Sequence, residues 1–177
     1  MKFLPLKVSV VINCYNGEKY IQDCIDSVFK QTYRNWEIII WDNKSTDKSY
    51  NIIKEYNDKR IKYFKAKKHT KLYKARNQAV KKASGDYIAF LDVDDFWHKD
   101  NLKIKVQILS RSNSVFAFSN FTIVDGNRNE LKKINIKITQ DNHLDQMLKS
   151  YKIGFLTTIF RRTIFDKYKF NSHYNII

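Results

Sequence analysis

Glycine and proline are scarce in this sequence of 177 residues, which contains four glycines and a single proline. The glycine-rich loops that cradle phosphate groups, Gly-x-Gly-x-x-Gly and Gly-x-x-x-x-Gly-Lys, do not occur in it. If the protein binds a phosphate-bearing ligand, basic side chains or a metal ion must therefore hold the phosphates.

Cysteine is also scarce, and the two cysteines, Cys14 and Cys24, are too few to form a disulfide framework. We expect both to be small, buried apolar residues. The histidines His69, His98 and His143 are too dispersed to indicate a zinc site.

Long apolar runs are missing as well. The longest, such as residues 38–41, have the length of a strand and fall far short of the ~20 apolar residues that a membrane span needs. The first seven residues contain no apolar segment long enough for a signal peptide, so we expect a cytosolic protein. The 12 Phe, 11 Tyr and 3 Trp exclude a wholly disordered basic tail.

Charge is abundant and unevenly placed. The chain carries 33 Lys and Arg against 18 Asp and Glu, a formal net charge of +15. Residues 59–85 contain 11 of the cations and no acid, and Asp92, Asp94 and Asp95 then crowd four positions. Three carboxylates this close repel one another unless a cation neutralises them, and a divalent metal ion is the simplest candidate.

The pattern of apolar residues predicts an α/β fold. Four apolar runs are typical of buried strands, at residues 7–13, 37–41, 61–64 and 87–91. Between and after them, apolar residues recur at helical spacing at 18–30, after 47, at 72–83 and at 101–109. This alternation favours a mostly parallel sheet with helices on both faces. Beyond residue 112 we expect a mixed or antiparallel part, with strands at 115–124 and 127–137 and a helix at 142–151.

Polar clusters follow three of the predicted strands, at residues 13–16, 42–43 and 92–95. Ligands of open α/β sheets bind beyond the carboxyl ends of the strands, so the topology should gather these clusters into one crevice. Asp92 and Asp94, two positions apart, would point the same way in an extended segment. Arg76 and Lys74, at the start of the third predicted helix, could meet phosphate charge. The plainer alternatives are solvated turns and helix caps for the three clusters, and a solvated basic face for Lys74 and Arg76.

Five segments of the sequence, residues 8–21, 27–33, 36–47, 75–77 and 83–97, carry a resemblance to a known family. Together and in this order they resemble the family 2 glycosyltransferases, which have the GT-A nucleotide-sugar-binding fold. The resemblance is specific over residues 8–97 and looser over residues 98–177. It implies one GT-A domain over residues 1–177, an α/β/α sandwich in which residues 7–110 bind the nucleotide sugar and residues 111–177 form part of the acceptor side.

The resemblance also implies a nucleotide-diphosphate-sugar donor, most often a UDP-sugar, and a Mg²⁺ or Mn²⁺ ion. Asp42 would lie beside the base, Asp92 and Asp94 beside the ribose and the metal, and Asp94 with Asp92 would be the metal ligands. The donor-binding positions that it implies are Asn13, Tyr15, Asn16, Glu18, Asp42, Asn43, Arg76, Asp92 and Val93.

The sequence departs from the family pattern in three places. Asn13-Cys14 stands where many members have Pro-Val, and Asn43 cannot supply a second carboxylate. In the family a downstream carboxylate deprotonates the acceptor hydroxyl after a segment like residues 170–177, where this sequence stops. We therefore expect a truncated transferase without its base, because the later acids match no such motif; these are Asp125, Glu130, Asp141, Asp145 and Asp166.

The leading interpretation is an inverting hexosyltransferase that acts on a cell-envelope saccharide, a lipid-phosphate or a protein acceptor. Its basic surface favours contact with an anionic membrane, so we expect a cytoplasmic protein or one peripheral on the cytoplasmic face of the inner membrane. A catalytically inactive donor-binding module is the alternative. A nucleic-acid-binding domain built on residues 59–82 would explain none of the strand-end motifs, and we expect no nucleic-acid partner.

Overall fold

The computed structural model describes residues 6–136 and 154–171. The bounds of its strands, helices and one 3₁₀ turn are, in chain order, β1 (Val8–Cys14), α1 (Ile21–Phe29), β2 (Trp36–Asp42), α2 (Ser49–Glu55), β3 (Ile61–Lys65), α3 (Leu72–Val80), β4 (Tyr87–Asp92), α4 (Asn101–Ser110), β5 (Phe116–Ala117), β6 (Phe121–Val124), β7 (Glu130–Ile134), the 3₁₀ turn (Phe155–Thr157), β8 (Ile159–Arg161) and α5 (Ile164–Lys167). None of the helices in these two ranges is long and apolar enough to cross a membrane.

Six strands form one sheet in the order β3-β2-β1-β4-β8-β5. β3, β2, β1 and β4 run parallel, and β8 pairs antiparallel with both β4 and β5. The chain thus starts in the middle of the sheet, moves outward to β3 and returns to the other side of β1. β1 and β4 therefore flank a topological switch point, where ligands of such sheets bind. The predicted mostly parallel α/β sheet with an antiparallel later part is confirmed.

Both faces of β1, β2 and β4 are buried, which explains why their sequences are mainly apolar. Val8, Val10 and Ile12 of β1 pack on one face with residues of α1, α2 and α4. Val11 packs on the other face with Ala79 of α3 and with aromatic residues from residues 154–171. The core therefore lies in two layers, one on each side of the sheet.

A cluster of phenylalanines closes the second layer, with Phe90 of β4 at its centre. The ring centroids of Phe155, Phe160, Phe165 and Phe170 lie 4.6, 6.4, 5.8 and 5.5 Å from that of Phe90. Asn77 of α3 fastens this segment through both ends of its amide. Its Nδ2 donates to the carbonyl oxygen of Phe170 at 2.7 Å, and its Oδ1 accepts from the Phe170 N–H at 3.0 Å.

A buried carboxylate, Glu37, lies at the N-terminal edge of the sheet, opposite the switch-point crevice. It is 1% exposed, and its Oε2 lies 2.7 Å from Nζ of Lys62 and 2.9 Å from Nζ of Lys7. The hydroxyls of Ser9 and Ser84 donate to its Oε1 at 2.6 and 2.8 Å. Burial by itself raises the pKa of Glu37, but these cations and donors outweigh it and hold that pKa well below the ordinary value.

Four predicted elements differ from those in the structure by three residues or more. The strand predicted over residues 127–137 is the shorter β7 (Glu130–Ile134). The first helix begins at Ile21 rather than at residue 18, because residues 17–20 form a turn in which the carbonyl oxygen of Gly17 accepts hydrogen bonds from the N–H groups of Tyr20 and Ile21. The third helix ends at Val80 rather than at residue 83, where the chain turns toward β4. The predicted strand over residues 115–124 is two short strands, because β5 joins the main sheet and β6 pairs with β7. The helix predicted over residues 142–151 lies outside the described residues.

One lysine lies on the buried side of α4. The buried residues of this helix are Leu102, Lys105, Val106 and Leu109. Lys105 is only 3% exposed. Its Nζ donates to Oδ1 of Asn101 at 2.6 Å. Burial lowers the pKa of Lys105 to about 7, because a desolvated ammonium group is less stable than the neutral amine.

We expect Gly85→Ala to lower the free energy of unfolding by about 2 to 3 kcal/mol, the cost typical of an overpacked core. A Cβ at Gly85 would lie 2.7 Å from the carbonyl oxygen of Lys7 and 2.7 Å from the backbone nitrogen of Ser9. Urea unfolding measures the change. Gly126→Ala is the matched control, because a Cβ there meets nothing within 4 Å. Equal stability of the two variants would contradict this close approach.

We expect Lys105→Met to stabilise the protein by on the order of 2 to 4 kcal/mol at pH 6, because the ammonium group no longer has to be buried. The folded pKa of Lys105, about 7, lies below its ordinary 10.5, so the unfolded chain binds more protons between these values. Wild-type stability therefore rises across that window, and the advantage of the variant shrinks. Urea unfolding at several pH values tests this against Lys103→Met, an exposed lysine of the same helix. A pH-independent gain would contradict the burial of a titrating amine.

Candidate functional site

The carboxyl ends of β1, β2 and β4 meet at one edge of the sheet. Asn13 of β1 is in register with Trp41 of β2 on one side and with Asp92 of β4 on the other, and Cys14 is in register with Asp42. The Oδ1 atom of Asn13 is buried and has no hydrogen-bond partner within residues 6–136 and 154–171. The structure thus brings together the three polar clusters that the sequence places after these strands.

Asp42 is completely enclosed. Its residue exposure is 0%, its Oδ1 accepts the N–H of Ser45 at 2.6 Å, and its Oδ2 accepts the hydroxyl of Tyr63. Burial and this hydrogen bond to a carboxylate raise the pKa of Tyr63 well above its ordinary value. In this structure the carboxylate of Asp42 therefore holds the β2–α2 turn and β3 together.

Asn43 fastens the β3–α3 loop to the end of β2. Its Nδ2 donates to the carbonyl oxygen of Thr70 at 2.6 Å, and its Oδ1 accepts from the N–H and hydroxyl of Thr70 at 3.0 and 3.1 Å. The N–H of Ala66 donates to the carbonyl oxygen of Asp42 at 2.8 Å. An amide satisfies both backbone groups of Thr70, which a carboxylate cannot do because it has no N–H.

Tyr15 is the exposed aromatic residue of the crevice. It is 51% exposed, and its ring centroid lies 4.3 Å from that of His69 at an interplanar angle of 57°. His69 belongs to the loop that Asn43 fastens, and its Nδ1 lies 3.1 Å from the carbonyl oxygen of Asn43. Sequence reasoning assigned Tyr15 to a nucleotide pocket but gave His69 no role, since the two lie 54 positions apart.

Asn16 and Glu18 brace the β1–α1 loop against the β2–α2 loop. Oδ1 of Asn16 accepts the N–H of Thr46 at 2.9 Å, and Oε2 of Glu18 accepts the N–H of Lys48 at 2.9 Å. Asn16 has a φ of 52°, a left-handed conformation that asparagine tolerates better than most residues. Both side chains are engaged in loop-to-loop hydrogen bonds.

Gly17 allows the β1–α1 loop to approach the segment after β4. A Cβ at Gly17 would lie 2.5 Å from Cγ2 of Val93. The N–H of Gly17 donates to the hydroxyl of Ser49 at 2.8 Å, which fixes the loop at this distance. Val93 thus packs directly beneath the loop that carries Tyr15 and Asn16.

The carboxylates after β4 differ in their surroundings. Oδ1 of Asp92 lies 3.4 Å from Nη2 of Arg76, whereas Asp94 and Asp95 are exposed. Desolvation raises the pKa of Asp92, Arg76 partly offsets this, and the charge of Asp94 raises it further. Desolvation and the charges of Asp94 and Asp92 raise the pKa of Asp95 to about 6. A cation bound here would relieve the repulsion among the three side chains.

Arg76 of α3 links this cluster to the later part of the chain. Its guanidinium carbon lies 4.8 Å from the ring centroid of Phe155 and 6.0 Å from that of Phe170. Its Nε is buried and has no hydrogen-bond partner among the described residues. Lys74, two residues closer to the start of α3, is exposed and lies near the ring of Tyr73. The structure therefore brings Arg76, but not Lys74, to the carboxylates.

Gln31 is a supporting residue that sequence reasoning missed. It is fully buried, its Nε2 donates to the carbonyl oxygens of Ser27 and His98 at 3.0 and 2.9 Å, and its Oε1 accepts the N–H of Leu102 at 3.0 Å. It thus ties the C-terminal end of α1 to His98, in the segment after the carboxylates, and to the first turn of α4. Gln31 falls within residues 27–33, which carry part of the resemblance, but its partners His98 and Leu102 lie 67 and 71 positions away.

The later acids within residues 101–136 and 154–171 are placed apart from this cluster. Asp125 accepts hydrogen bonds from Asn127 and Asn129 in the β6–β7 turn, and Glu130 pairs with Lys133 at 3.2 Å. Asp166 of α5 lines a cavity with Lys81 and Arg162, beyond the C-terminal end of α3. Asp141 and Asp145 lie outside the described residues. We therefore assign the role of general base to none of the acidic residues within residues 6–136 and 154–171.

The carboxylate oxygens at the crevice suit a hard metal cation whose remaining ligands are oxygen atoms from water or from a bound phosphate. No group of three or more His, Cys, Asp or Glu side chains placed to hold a metal ion occurs in residues 6–136 and 154–171. One or two carboxylates are nevertheless what proteins usually offer to Mg²⁺, whose other positions are filled by water and phosphate oxygens. Asp94 and Asp92 fit that pattern, and the desolvation of Asp92 favours a neutralising cation.

A family model described as glycosyl transferase family 2 matches residues 9–169. The UDP-Glc:alpha-D-GlcNAc-diphosphoundecaprenol beta-1,3-glucosyltransferase WfgD of Escherichia coli is 35% identical over 163 residues, which cover 92% of this chain and 63% of that protein. The putative teichuronic acid biosynthesis glycosyltransferase TuaG of Bacillus subtilis is 34% identical over 157 residues, which cover 88% of this chain and 62% of that protein. The chain thus spans less than two thirds of the length of both relatives.

Solved structures share the fold. S. aureus TarS 1–349 in complex with UDP-GlcNAc matches with a TM-score of 0.75 and 25% identity, over 91% of this chain and 47% of that chain. The mannosyltransferase PcManGT from Pyrobaculum calidifontis, in complex with GDP-Man and Mn²⁺, matches with a TM-score of 0.70 and 18% identity, over 92% and 46%. The expected GT-A fold is therefore confirmed.

We expect Asn43→Asp to loosen the β3–α3 loop, because the carboxylate cannot donate to the carbonyl oxygen of Thr70. The loss of about 1 kcal/mol should speed hydrogen exchange at the Thr70 amide about fivefold. Exchange measured by NMR checks this. Asn113→Asp, at an exposed position, is the control for the added negative charge. Equal Thr70 exchange in the two variants would mean that Asn43 does not hold the loop.

Proposed function

Because this chain belongs to glycosyl transferase family 2, we propose that it binds a nucleotide-diphosphate sugar and transfers the sugar to an acceptor of the cell envelope. The observation that carries the proposal is the register at the switch point, where Asn13 lies directly opposite Asp92. Arg76 and the exposed Asp94 accompany them there. This edge of the sheet combines carboxylates, a guanidinium group and an exposed aromatic ring, which suit a metal ion, a diphosphate and a nucleobase respectively.

We infer that the donor is a UDP-sugar. WfgD, the E. coli relative, is named for UDP-Glc, and TarS has been solved with UDP and with UDP-GlcNAc. The family model matches residues 9–169, which include the residues of the crevice. For the sugar we propose a hexose or an N-acetylhexosamine, the two kinds that these names include.

The residues of the crevice divide into donor contacts and supports. We assign the base to the region of Tyr15 and Asp42, the ribose to Asp92 and Val93, and the diphosphate to Arg76. Asn13 contributes a buried acceptor without a partner in the described chain, which a ligand hydroxyl could satisfy. Three other donor-binding positions implied by the resemblance support the site indirectly, because their side chains hold its loops in place: Asn16, Glu18 and Asn43.

Asp94 and Asp92 would hold the Mg²⁺ or Mn²⁺ ion. The ion, when bound, would stabilise the negative charge of the diphosphate leaving group. Asp92 also keeps Arg76 at the crevice, and the rings of Phe155 and Phe170 shield that guanidinium group from water. Arg76 would thus meet the diphosphate in a partly desolvated setting, where its charge interacts more strongly than in bulk water.

The proposed reaction is an inverting displacement at C1 of the sugar. The acceptor oxygen forms a bond to C1, the bond from C1 to the diphosphate oxygen breaks, and the acceptor proton passes to a base. We assign that base to no residue of the described ranges. The acceptor would be a lipid-linked or other cell-envelope saccharide, which the names of WfgD and TuaG support. Proteins and lipid phosphates are further acceptor classes.

We infer further that the protein works at the cytoplasmic face of a membrane. Its net charge of +15 favours anionic lipid headgroups and phosphate-bearing acceptors. The cations of residues 59–85 contribute much of this charge and include Arg76 of the crevice.

A donor-binding module without turnover is a second candidate, and one observation favours it. Within residues 101–136 and 154–171, Asp125 and Glu130 are engaged in local contacts and Asp166 lies at a separate cavity. Such a module would bind the donor with its metal ion but would not release UDP in the presence of acceptor.

We expect the wild-type chain to bind UDP more tightly with Mn²⁺ than without it, as titration calorimetry would show. Asp94→Asn should weaken the Mn²⁺-dependent affinity by at least about tenfold, because it removes a metal ligand. The control Asp166→Asn, at the separate cavity, should leave it unchanged. Equal affinities for the two variants would reject the metal assignment. Release of UDP from UDP-Glc on addition of a lipid-linked saccharide acceptor separates the transferase from the donor-binding module.

A further inference from the structure

Two adjoining cavities lie on the α3 side of the sheet, where residues 154–171 pack. Their volumes are about 240 and 180 Å³, and they share the side chains of Phe165, Tyr168 and Lys169. Neither includes a donor-binding position of the crevice among its described lining residues. We call the larger one the cationic cavity and the smaller one the apolar cavity, and the two together form the α3 groove.

The cationic cavity is lined by three exposed cations, Lys81, Arg162 and Lys169. Among its described lining residues Asp166 is the single acid. None of the three cations forms an ion pair with another residue of 6–136 and 154–171. The cavity therefore has an excess of positive charge, which attracts an anion.

The hydrogen-bond donors of the cationic cavity suit a phosphate group. The backbone of Arg162 is fixed because its N–H donates to the carbonyl oxygen of Asp86 at 2.9 Å, whereas its guanidinium group makes no hydrogen bond to the described residues. Nζ of Lys169 donates to the carbonyl oxygen of Phe165 at 3.0 Å and has two further hydrogens to offer. Guanidinium groups bind phosphate through two parallel N–H donors, and lysine adds a point charge.

The apolar cavity continues the groove along the phenylalanine cluster. Apart from Lys169 and Tyr168, its described lining is apolar: Phe155, Phe160, Ile164, Phe165 and Phe170. Tyr168 lies where the two cavities meet and is 59% exposed. An exposed tyrosine, with an apolar ring and a polar hydroxyl, is typical of the boundary between water and a bilayer.

The two cavities together restrict what can fill the groove. Inorganic phosphate would leave the phenylalanine rings in water, and a plain hydrocarbon would leave the cations without a partner. A molecule with a phosphate head and an apolar chain matches both parts. A lipid fits better than an acidic peptide, because the surrounding surface is also basic. Lys82 and Lys167, which adjoin lining residues in the sequence, are exposed cations, and such clusters are attracted to anionic bilayers.

We propose that the α3 groove binds an anionic membrane lipid, with the phosphate at the three cations and the first carbons of the acyl chain on the phenylalanine rings. The inference rests on the membrane location in the proposed function and names the surface that faces the bilayer. Phe155 and Phe170 line the apolar cavity and also contact the guanidinium group of Arg76. A lipid in the groove would therefore hold the crevice close to the bilayer, where a lipid-linked acceptor is anchored.

Titration calorimetry with octyl phosphate, inorganic phosphate and octanol tests the match of head and chain. Octyl phosphate should bind at least about tenfold more tightly than either of the others, because burying two methylene groups or pairing one phosphate already supplies that factor. Arg162→Gln should weaken octyl phosphate binding about tenfold, because a charged donor is lost. Asp166→Asn should strengthen it, because a repelling carboxylate is removed.

Sedimentation with phosphatidylcholine vesicles that contain phosphatidic acid tests the groove against diffuse attraction by the net charge. The double variant Arg162→Gln/Lys169→Gln should lower the vesicle partition coefficient at least about tenfold, since each cation near the surface contributes several-fold. Lys30→Gln/Lys54→Gln is the matched control. It removes the same charge from exposed positions on α1 and α2, which pack on the other face of the sheet, and should change partition less than about threefold.

Equal losses in the two double variants would mean diffuse adsorption and would overturn the groove while leaving the membrane location standing. Equal affinities for octyl phosphate and inorganic phosphate would leave a phosphate site alone and overturn the lipid assignment. Binding of an acetylated Glu-Leu-Phe-Leu peptide in place of octyl phosphate would assign the groove to a protein partner and overturn it as well. UDP binding with Mn²⁺, measured on every variant, should stay unchanged. Absence of vesicle binding together with intact UDP binding would reject the membrane location and the lipid site but not the donor site.

Discussion

The site depends on the parallel ladder in which β1 lies between β2 and β4. Because β1 is buried on both faces and paired on both sides, its residues before Asn13 are apolar except for Ser9, whose hydroxyl donates to Glu37. Polar residues appear where the ladder ends, and the parallel register brings the ends of all three strands to the same edge. The position of Asn13 opposite Asp92 follows directly from this register. The crevice is thus a consequence of the sheet rather than of any one loop.

Three carboxylates, the buried Glu37 and Asp42 and the partly exposed Asp92, differ in how their charge is compensated. Glu37 is neutralised by two lysines at the far edge of the sheet, where it joins neighbouring strands. Asp42 is enclosed with neutral donors, which hold a turn in place. Asp92 has only a long contact with one arginine and repulsive neighbours, so its charge is the least satisfied. A carboxylate in that state is suited to bind a cation, whereas the other two stabilise the structure.

Asparagine amides hold together parts of the chain that are distant in sequence. Asn43 pairs with both backbone groups of Thr70, and Asn77 pairs in the same way with those of Phe170. The first contact positions the loop that carries His69. The second holds the aromatic segment against which Arg76 packs. The same chemistry thus supports both ends of the crevice, and neither contact spans fewer than 27 residues.

The sequence by itself determined the order of strands and helices along the chain, the mostly parallel sheet, and the polar clusters at the carboxyl ends of its strands. These follow from local rules, since strands buried on both faces are mainly apolar and amphipathic helices repeat their apolar residues every three or four positions. The role of each polar side chain was decided only by the tertiary structure. Asp42 and Asn43 have similar sequence contexts, yet one is enclosed by Tyr63 and the other fastens a loop. Their partners lie 21 and 27 positions away, and no local pattern specifies which distant group a side chain will meet.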